Sequence, residues 1–534
     1  MSLKSLIVLC LLLGLQSVPA QSQPAQTAYP FWSADPRPRL MTGDCRVCPL
    51  LPQTKWYFAG EWLAISNENA DAAVTLPHWL ADAPFIESPP PVWLGQPESI
   101  RNVKLESGKH QIRRPNGQRQ NWQVIDKIPQ NQSYWNAESA AFFAGKTVHM
   151  RGATIDDNFI AETIWPVDFS IQSTTVRALS GQETIEDWIR ADQGGVSQPH
   201  SDRLIWQRNQ QAAKNATDKP VLAIMLNGAQ GDDHEALAGH FALVTGKFNT
   251  DGHYTNWLVN NFYSLDAVSE KGIIAAVTPM DKYLADLNSG QNYYRPSYML
   301  VATLNEVTPV QQVQQSMNQI MQHFYRHSFQ YQHADMNCTG ISIDALKALG
   351  WNLPERGSNG MLMAIGAYFY SLVTEGSFTS ARQLYDYLMT ESSRLLPAVA
   401  FDVLSEALIS LAENSTDRSL SEFEQQLANN IDALWLVRIP QIPSSRALGD
   451  APVFSFQEYL DTAPANRDDW VSIALPPQTL PESLQTARPV NPAPFPVPWP
   501  VILILSGLML LLAGVVYRLI QRRNTNQNAS QHSP

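Results

Sequence analysis

Apolar residues recur along this chain in two rhythms, and the change between them divides it. From about Gln21 to Ala191, short runs of β-formers lie between turn residues: Trp122-Gln-Val-Ile-Asp, Lys146-Thr-Val-His-Met-Arg and Val167-Asp-Phe-Ser-Ile. Pro89-Pro90-Pro91 and the Asn116-Gly117 turn punctuate them. This pattern predicts a β-rich N-terminal domain over 21–195, of no recognisable named fold and with no visible repeat.

From Pro220 the rhythm changes. Val221-Leu-Ala-Ile-Met-Leu is a continuous apolar run ended by Asn227-Gly228, as expected of a strand buried on both faces. Phe241–Phe248 and Tyr254–Phe262 predict two further strands, with a hairpin signal at Asp251-Gly252, where the turn needs φ > 0. Ser297–Leu304 predicts a fourth. Thr308-Pro309 starts a helix in which Val310, Val313, Met317, Ile320, Met321 and Phe324 recur at helical spacing. After Cys338 the chain reads as helical to about Leu436, with a helix ended by Gly350 and amphipathic stretches around Phe401 and Phe423. The fold class is therefore α+β, with a mixed central domain over 196–395 and a helical region over 396–474. The apolar run Met361–Val373 is too short to cross a bilayer and predicts a buried helix.

The ends add a location. Lys4, the apolar stretch Leu6–Leu15 and the small residues around Val18-Pro19-Ala20 read as a signal peptide over 1–20. Pro occurs at 476, 477, 481, 489, 492, 494, 496, 498 and 500, so 475–500 predicts a semi-rigid stalk holding the body off the membrane. Val501–Tyr517 carries no charge and is bracketed by Trp499 and Tyr517, which predicts a transmembrane helix over 501–517. Arg518, Arg522 and Arg523 follow in a tail, 518–534, without acidic residues. By the positive-inside rule the tail is cytoplasmic and the body lies outside. The expected protein is a single-pass type I membrane protein, its body extracytoplasmic (periplasmic in a diderm bacterium).

Composition removes some functions. The chain has 534 residues, too many for one small core, and a net charge of −12. Without basic clusters in its body it is a poor partner for nucleic acid. Walker, dinucleotide and GxSxG signatures are absent. His234-Glu235 has Ala238 where a zinc protease needs its second His, and His240 is on the wrong helical face for that role.

The cysteines carry more. In the exported body, Cys45 and Cys48 are close enough to form a disulfide in an oxidising compartment, which leaves Cys338 unpaired. Free Cys is often merely a small buried hydrophobe. Here, however, Asp335-Met-Asn-Cys338-Thr-Gly is polar and precedes a helix, whose N-terminus stabilises a thiolate. A thiol nucleophile needs a base, and His240 stands at the start of the strand Phe241–Thr245. Two hairpin registers, with His240 opposite Asn261 or opposite Tyr263, put Asn261 on the face of His240; an odd loop would select Asn260 instead. An Asn carbonyl can hold the imidazole tautomer. His253, at the turn end, is the rival orienter.

The order strand-His, return strand, helix, Cys at a helix start resembles the circularly permuted NlpC/P60 group of papain-like enzymes. The resemblance rests on Gly239-His240-Phe-Ala-Leu-Val-Thr-Gly246 and Asn337-Cys338-Thr-Gly340, and the segment between Phe262 and Cys338 is long for it. It implies a permuted papain-like fold for 196–395, with an antiparallel sheet plus helices. It further implies Cys338 as nucleophile, His240 as base and Asn261 as orienter, and cleavage or transfer of amide or ester groups of a peptide, cell-wall or lipid substrate. The Cys338 backbone N–H would be among the oxyanion donors, and no metal or cofactor is required. The alternative expectation is a non-catalytic, membrane-tethered envelope scaffold.

Overall fold

A computed structural model describes residues 61–64, 74–75, 496–530 and, with short interruptions, 92–462. The signal peptide, Cys45, Cys48, His234, Glu235 and the 475–495 part of the Pro-rich segment lie outside the described residues.

The fold is mixed α+β. The strands are β1 (Trp62–Ala64), β2 (Val74–Thr75), β3 (Val92–Gly95), β4 (Glu98–Leu105), β5 (Gln111–Arg113), β6 (Arg119–Val124), β7 (Thr147–Ile155) and β8 (Asn158–Pro166). They continue with β9 (Ser201–Gln207), β10 (Pro220–Asn227), β11 (His240–Lys247), β12 (Leu258–Asn261), β13 (Ala276–Pro279), β14 (Ser297–Leu304) and β15 (Ile431–Ile439). The helices are α1 (Ala137–Phe143), α2 (Ile185–Gly194), α3 (Met280–Ala285), α4 (Thr308–Tyr325), α5 (Cys338–Ala348) and α6 (Met361–Glu375). After them come α7 (Phe378–Met389), α8 (Ser392–Leu395), α9 (Pro397–Glu413), α10 (Glu422–Asn430), α11 (Phe456–Thr462) and α12 (Trp499–Ser530).

In the N-terminal region, β4-β5-β6-β8-β7 close into a small barrel, so the β-rich expectation has a definite form. Gly117, at φ +85°, makes the turn between β5 and β6. Val167–Ile171 is not a strand; the strand of that region is β8, just before it. The other ten strands form one sheet in the order β2-β1-β3-β13-β12-β11-β10-β14-β15-β9. Its neighbours are antiparallel apart from β13 and β3. The segment predicted helical to Leu436 instead ends its helix at Asn430 and supplies β15. Ile431-Asp-Ala-Leu-Trp-Leu-Val-Arg-Ile is rich in β-formers and lies between β14 and β9, where packing on both faces overrides any helical reading.

Alternation along β10 explains its unbroken apolar run. Leu222, Ile224 and Leu226 face a core shared with α4, α5 and α9, whereas Val221, Ala223 and Met225 face a second core containing Tyr254, Trp257, Met280 and Trp435. The barrel is joined to the sheet by buried charge. Arg151 of β7 pairs with Asp281 of α3 at 2.8 Å. Beside it, Lys282 bonds Glu61, Asp286 and Glu162 of β8.

Three expectations about the membrane end change. The terminal helix is longer than predicted, and its apolar part, Trp499–Leu519, has mean hydropathy 2.4 and is long and apolar enough to cross a membrane. Helix α6 is buried on one side only. It pairs with α7, so Ala364, Ile365 and Tyr368 are covered while Leu362 and Val373 are more than 80% exposed. Residues 496–501 do not stand clear of the body either. Val497 and Val501 pack on the α6–α7 hairpin, and the Tyr368 hydroxyl donates to the Pro496 carbonyl at 3.2 Å.

Candidate functional site

β10 and β11 run antiparallel with Asn227 opposite His240, and the turn back into β11 passes through Gly239 at φ +86°. A Cβ there would lie 2.6 Å from the Asn227 carbonyl oxygen, so the position needs glycine for both conformation and space. Gly239→Ala is therefore expected to lower stability by about 1–3 kcal/mol and to displace His240. Thermal unfolding checks it, and a melting temperature equal to that of the parent would contradict it.

The β11–β12 pairing matches Leu243 with Asn260 and Thr245 with Leu258, which extrapolates to His240 opposite Tyr263. This is the second of the two even registers. The strands themselves stop short of the turn, and β12 begins only at Leu258, so Tyr254–Trp257 is a turn segment packed in the core. With period two, Asn261 shares the face of His240, and its Oδ1 lies 2.5 Å from His240 Nε2. Asn260 faces the other way. It exchanges amide hydrogen bonds with Gln314 of α4 at 2.9 and 3.1 Å, and Gln314 also accepts from Thr245. His253 is engaged elsewhere, with its ring 4.8 Å from that of His149.

Cys338 is the first residue of α5. Asn337 caps this helix, its Oδ1 accepting from the N–H groups of Thr339 and Gly340 at 3.0 and 2.8 Å. Asn337 Nδ2 donates to the His333 and Leu395 carbonyls, which fixes the cap in place. The Cys338 thiol is buried. Burial pushes it up, but the charge and hydrogen bond of His240, the Phe241 N–H and the Thr339 hydroxyl outweigh this and bring it down to about 7. The structure thus brings Cys338, His240 and Asn261 together at the end of β11. Nε2 of His240 is engaged by Asn261.

Two tyrosines complete the surroundings. The Cys338 backbone N–H donates to the Tyr331 hydroxyl at 3.3 Å. Burial and the nearby Cys338 sulfur hold the Tyr331 phenol well above its ordinary value, so it keeps its proton. Tyr283 lies with its ring 6.5 Å from His240 and donates to Asn227, whose Nδ2 donates to Ser297 at 2.8 Å. Sequence reasoning missed both tyrosines. Neither has a local signal, since one precedes Cys338 by a loop and the other comes from a helix in the Phe262–Cys338 segment. Sequence reasoning gave Asn337 no role of its own, although Asn before a run containing Ile341 and Ala345 is an N-cap signature.

Glu61, Glu162 and Asp286 offer oxygen atoms within 4.8 Å of one another, as a metal site would. The ammonium of Lys282 sits among them, 2.5 Å from Asp286 and 2.9 Å from Glu61. Its charge supplies what a cation would, which makes this group a salt-bridge node rather than a metal centre. The chain matches no protein-family model, no curated protein and no solved structure.

Proposed function

We propose that this chain is a membrane-anchored thiol hydrolase or acyltransferase with a circularly permuted papain-like (NlpC/P60-like) centre, acting on an amide or ester of a peptide, cell-wall or lipid substrate. The observation that carries this reading is the thiol of Cys338, held near 7 beside an imidazole whose far nitrogen is fixed by Asn261. In the proposed reaction the thiolate attacks the carbonyl carbon and a C–S bond forms. The His240 imidazolium then gives its proton to the leaving nitrogen or oxygen as that bond breaks. Water or an acceptor nucleophile, its proton taken by His240, attacks the thioester and frees the thiolate. The carbonyl oxygen would replace the Tyr331 oxygen as acceptor from the Cys338 N–H, with the protonated Tyr331 phenol as a second donor.

The proposed placement is type I. Helix α12 spans the bilayer from Trp499, Arg518, Arg522 and Arg523 mark the cytoplasmic side, and the body is extracytoplasmic.

The test is the pH dependence of iodoacetamide labelling at Cys338. In the parent protein the rate should rise with pH through a midpoint near 7. In His240→Ala the imidazolium is gone and burial remains, so the midpoint should move up by more than about one unit, past the free-thiol value of about 8.5. An unchanged midpoint would leave Cys338 a structural residue and favour the scaffold reading.

A further inference from the structure

Helix α6 presents an apolar face that is exposed among the described residues. Leu362, Met363, Tyr370 and Val373 are exposed along it, Met361 and Phe378 extend it at the two ends, and no charged residue occurs between Met361 and Thr374. A stripe of this kind is unusual on a surface that meets only water. Its position supplies the occupant. The opposite side of the α6–α7 hairpin holds Val497 and the fully buried Val501, and Tyr368 is tied to Pro496. The hairpin is therefore fastened to the first turn of α12, where exposed Trp499 begins the apolar stretch Trp499–Leu519.

We propose that α6 lies in the interfacial layer of the bilayer crossed by α12, with its Leu362–Val373 face in the boundary between headgroups and acyl chains. The proposal rests on reading α12 as the membrane span. A helix of this kind buries apolar side chains at shallow depth without crossing, and aromatic residues such as Tyr370 and Trp499 suit that layer. The body would then be seated on the membrane at two points rather than held off it. The foot of the hairpin also leads toward the site: α7 is followed by α8, whose Leu395 carbonyl accepts from Asn337 Nδ2 at 3.0 Å. The cap that positions Cys338 is thus tied to the segment that leaves the membrane-lying hairpin.

The experiment uses the unmodified full chain in nanodiscs of phosphatidylcholine carrying a photoactivatable diazirine on one acyl chain. After illumination and proteolysis, lipid adducts are mapped by mass spectrometry. Adducts are expected on α12 and on peptides covering 361–378, the latter at least about tenfold above those on the body helix α9. The double variant Leu362→Glu, Val373→Glu should lose most of the α6 adducts and keep those on α12. Labelling of α12 with α6 unlabelled overturns the proposal, leaves the span intact, and makes another chain segment or a second copy the cover. Absence of adducts from α12 as well overturns the span reading itself.

Discussion

Cys338→Ser is expected to lower turnover by at least about a thousandfold, because a serine hydroxyl at this position is not ionised by a neighbouring imidazole as a thiol is. The charge and hydrogen bonding of His240 bring the Cys338 thiol down to about 7, which in the proposed reading makes it the nucleophile. The two side chains are almost equal in size, and the Asn337 cap and the Ser342 bond to the Cys338 carbonyl do not involve sulfur. The fold should therefore persist, with a melting temperature within about 2 °C of the parent. Hydrolysis of a reactive aryl ester such as p-nitrophenyl acetate gives the readout, together with trapping of the acyl-enzyme by mass spectrometry. Retention of more than about a tenth of the activity would remove Cys338 from the chemistry. Asn261→Ala should cost less than loss of the thiol, because in the proposed reading Asn261 orients His240 without touching the reacting carbonyl.

Lys282→Met is expected to be the most damaging substitution for stability, at about 3–5 kcal/mol. Lys282 and its partners Glu61, Glu162 and Asp286 are buried together, and Trp93 lies 4.2 Å from the ammonium. Methionine fills similar space and removes the Lys282 cation from three carboxylates, and Arg151, the neighbouring cation among the described residues, is already paired to Asp281. Burial by itself would push the Lys282 ammonium down, but Asp286, Glu162 and Glu61 more than reverse it and hold it above its ordinary value. A folded value raised above the unfolded one means that the contribution is complete below about 10.4 and is lost only as the pH rises through the folded value. The contribution of Lys282 in the parent is therefore constant between about pH 6 and 9. The variant's buried carboxylates, without their cation, take up protons more readily, so its deficit should shrink as the pH falls. Urea denaturation of the full chain in detergent measures it, and Glu162→Gln should recover part of the loss in the Lys282→Met background. A loss below about 1 kcal/mol would show that the carboxylates find other partners.

Much of the central fold was legible because its signals are local. The apolar run from Val221 marks a strand buried on both faces, Ser297–Leu304 coincides with β14, and Thr308-Pro309 opens α4 with Val310, Val313, Met317 and Met321 in the core. Where the reading failed, distant chain decided. Ile431–Ile439 is a strand because β14 and β9 lie on either side of it. Met361–Val373 carries the composition of a core helix, but α7 and the residues leading into α12 cover one side of it and leave Leu362, Met363, Tyr370 and Val373 exposed.

The site divides in the same way. By itself the sequence determined an unpaired cysteine ahead of a helix, a histidine ahead of a strand, and an asparagine at even spacing on the return strand. Each is a matter of neighbours within a few residues or of strand periodicity. The tertiary structure decided the register, which excludes the odd loop that would have selected Asn260: Gln314 of α4 takes Asn260 on one face while Asn261 keeps the other. It also decided that α5 meets the end of β11, that Tyr331 reaches the Cys338 N–H, and that Lys282 fills the space among three carboxylates. The physical reason is separation along the chain. Helix starts and strand faces follow from local backbone geometry, whereas the packing of α5, α3 and β11 around one thiol depends on contacts between residues up to about a hundred positions apart, which no local pattern encodes.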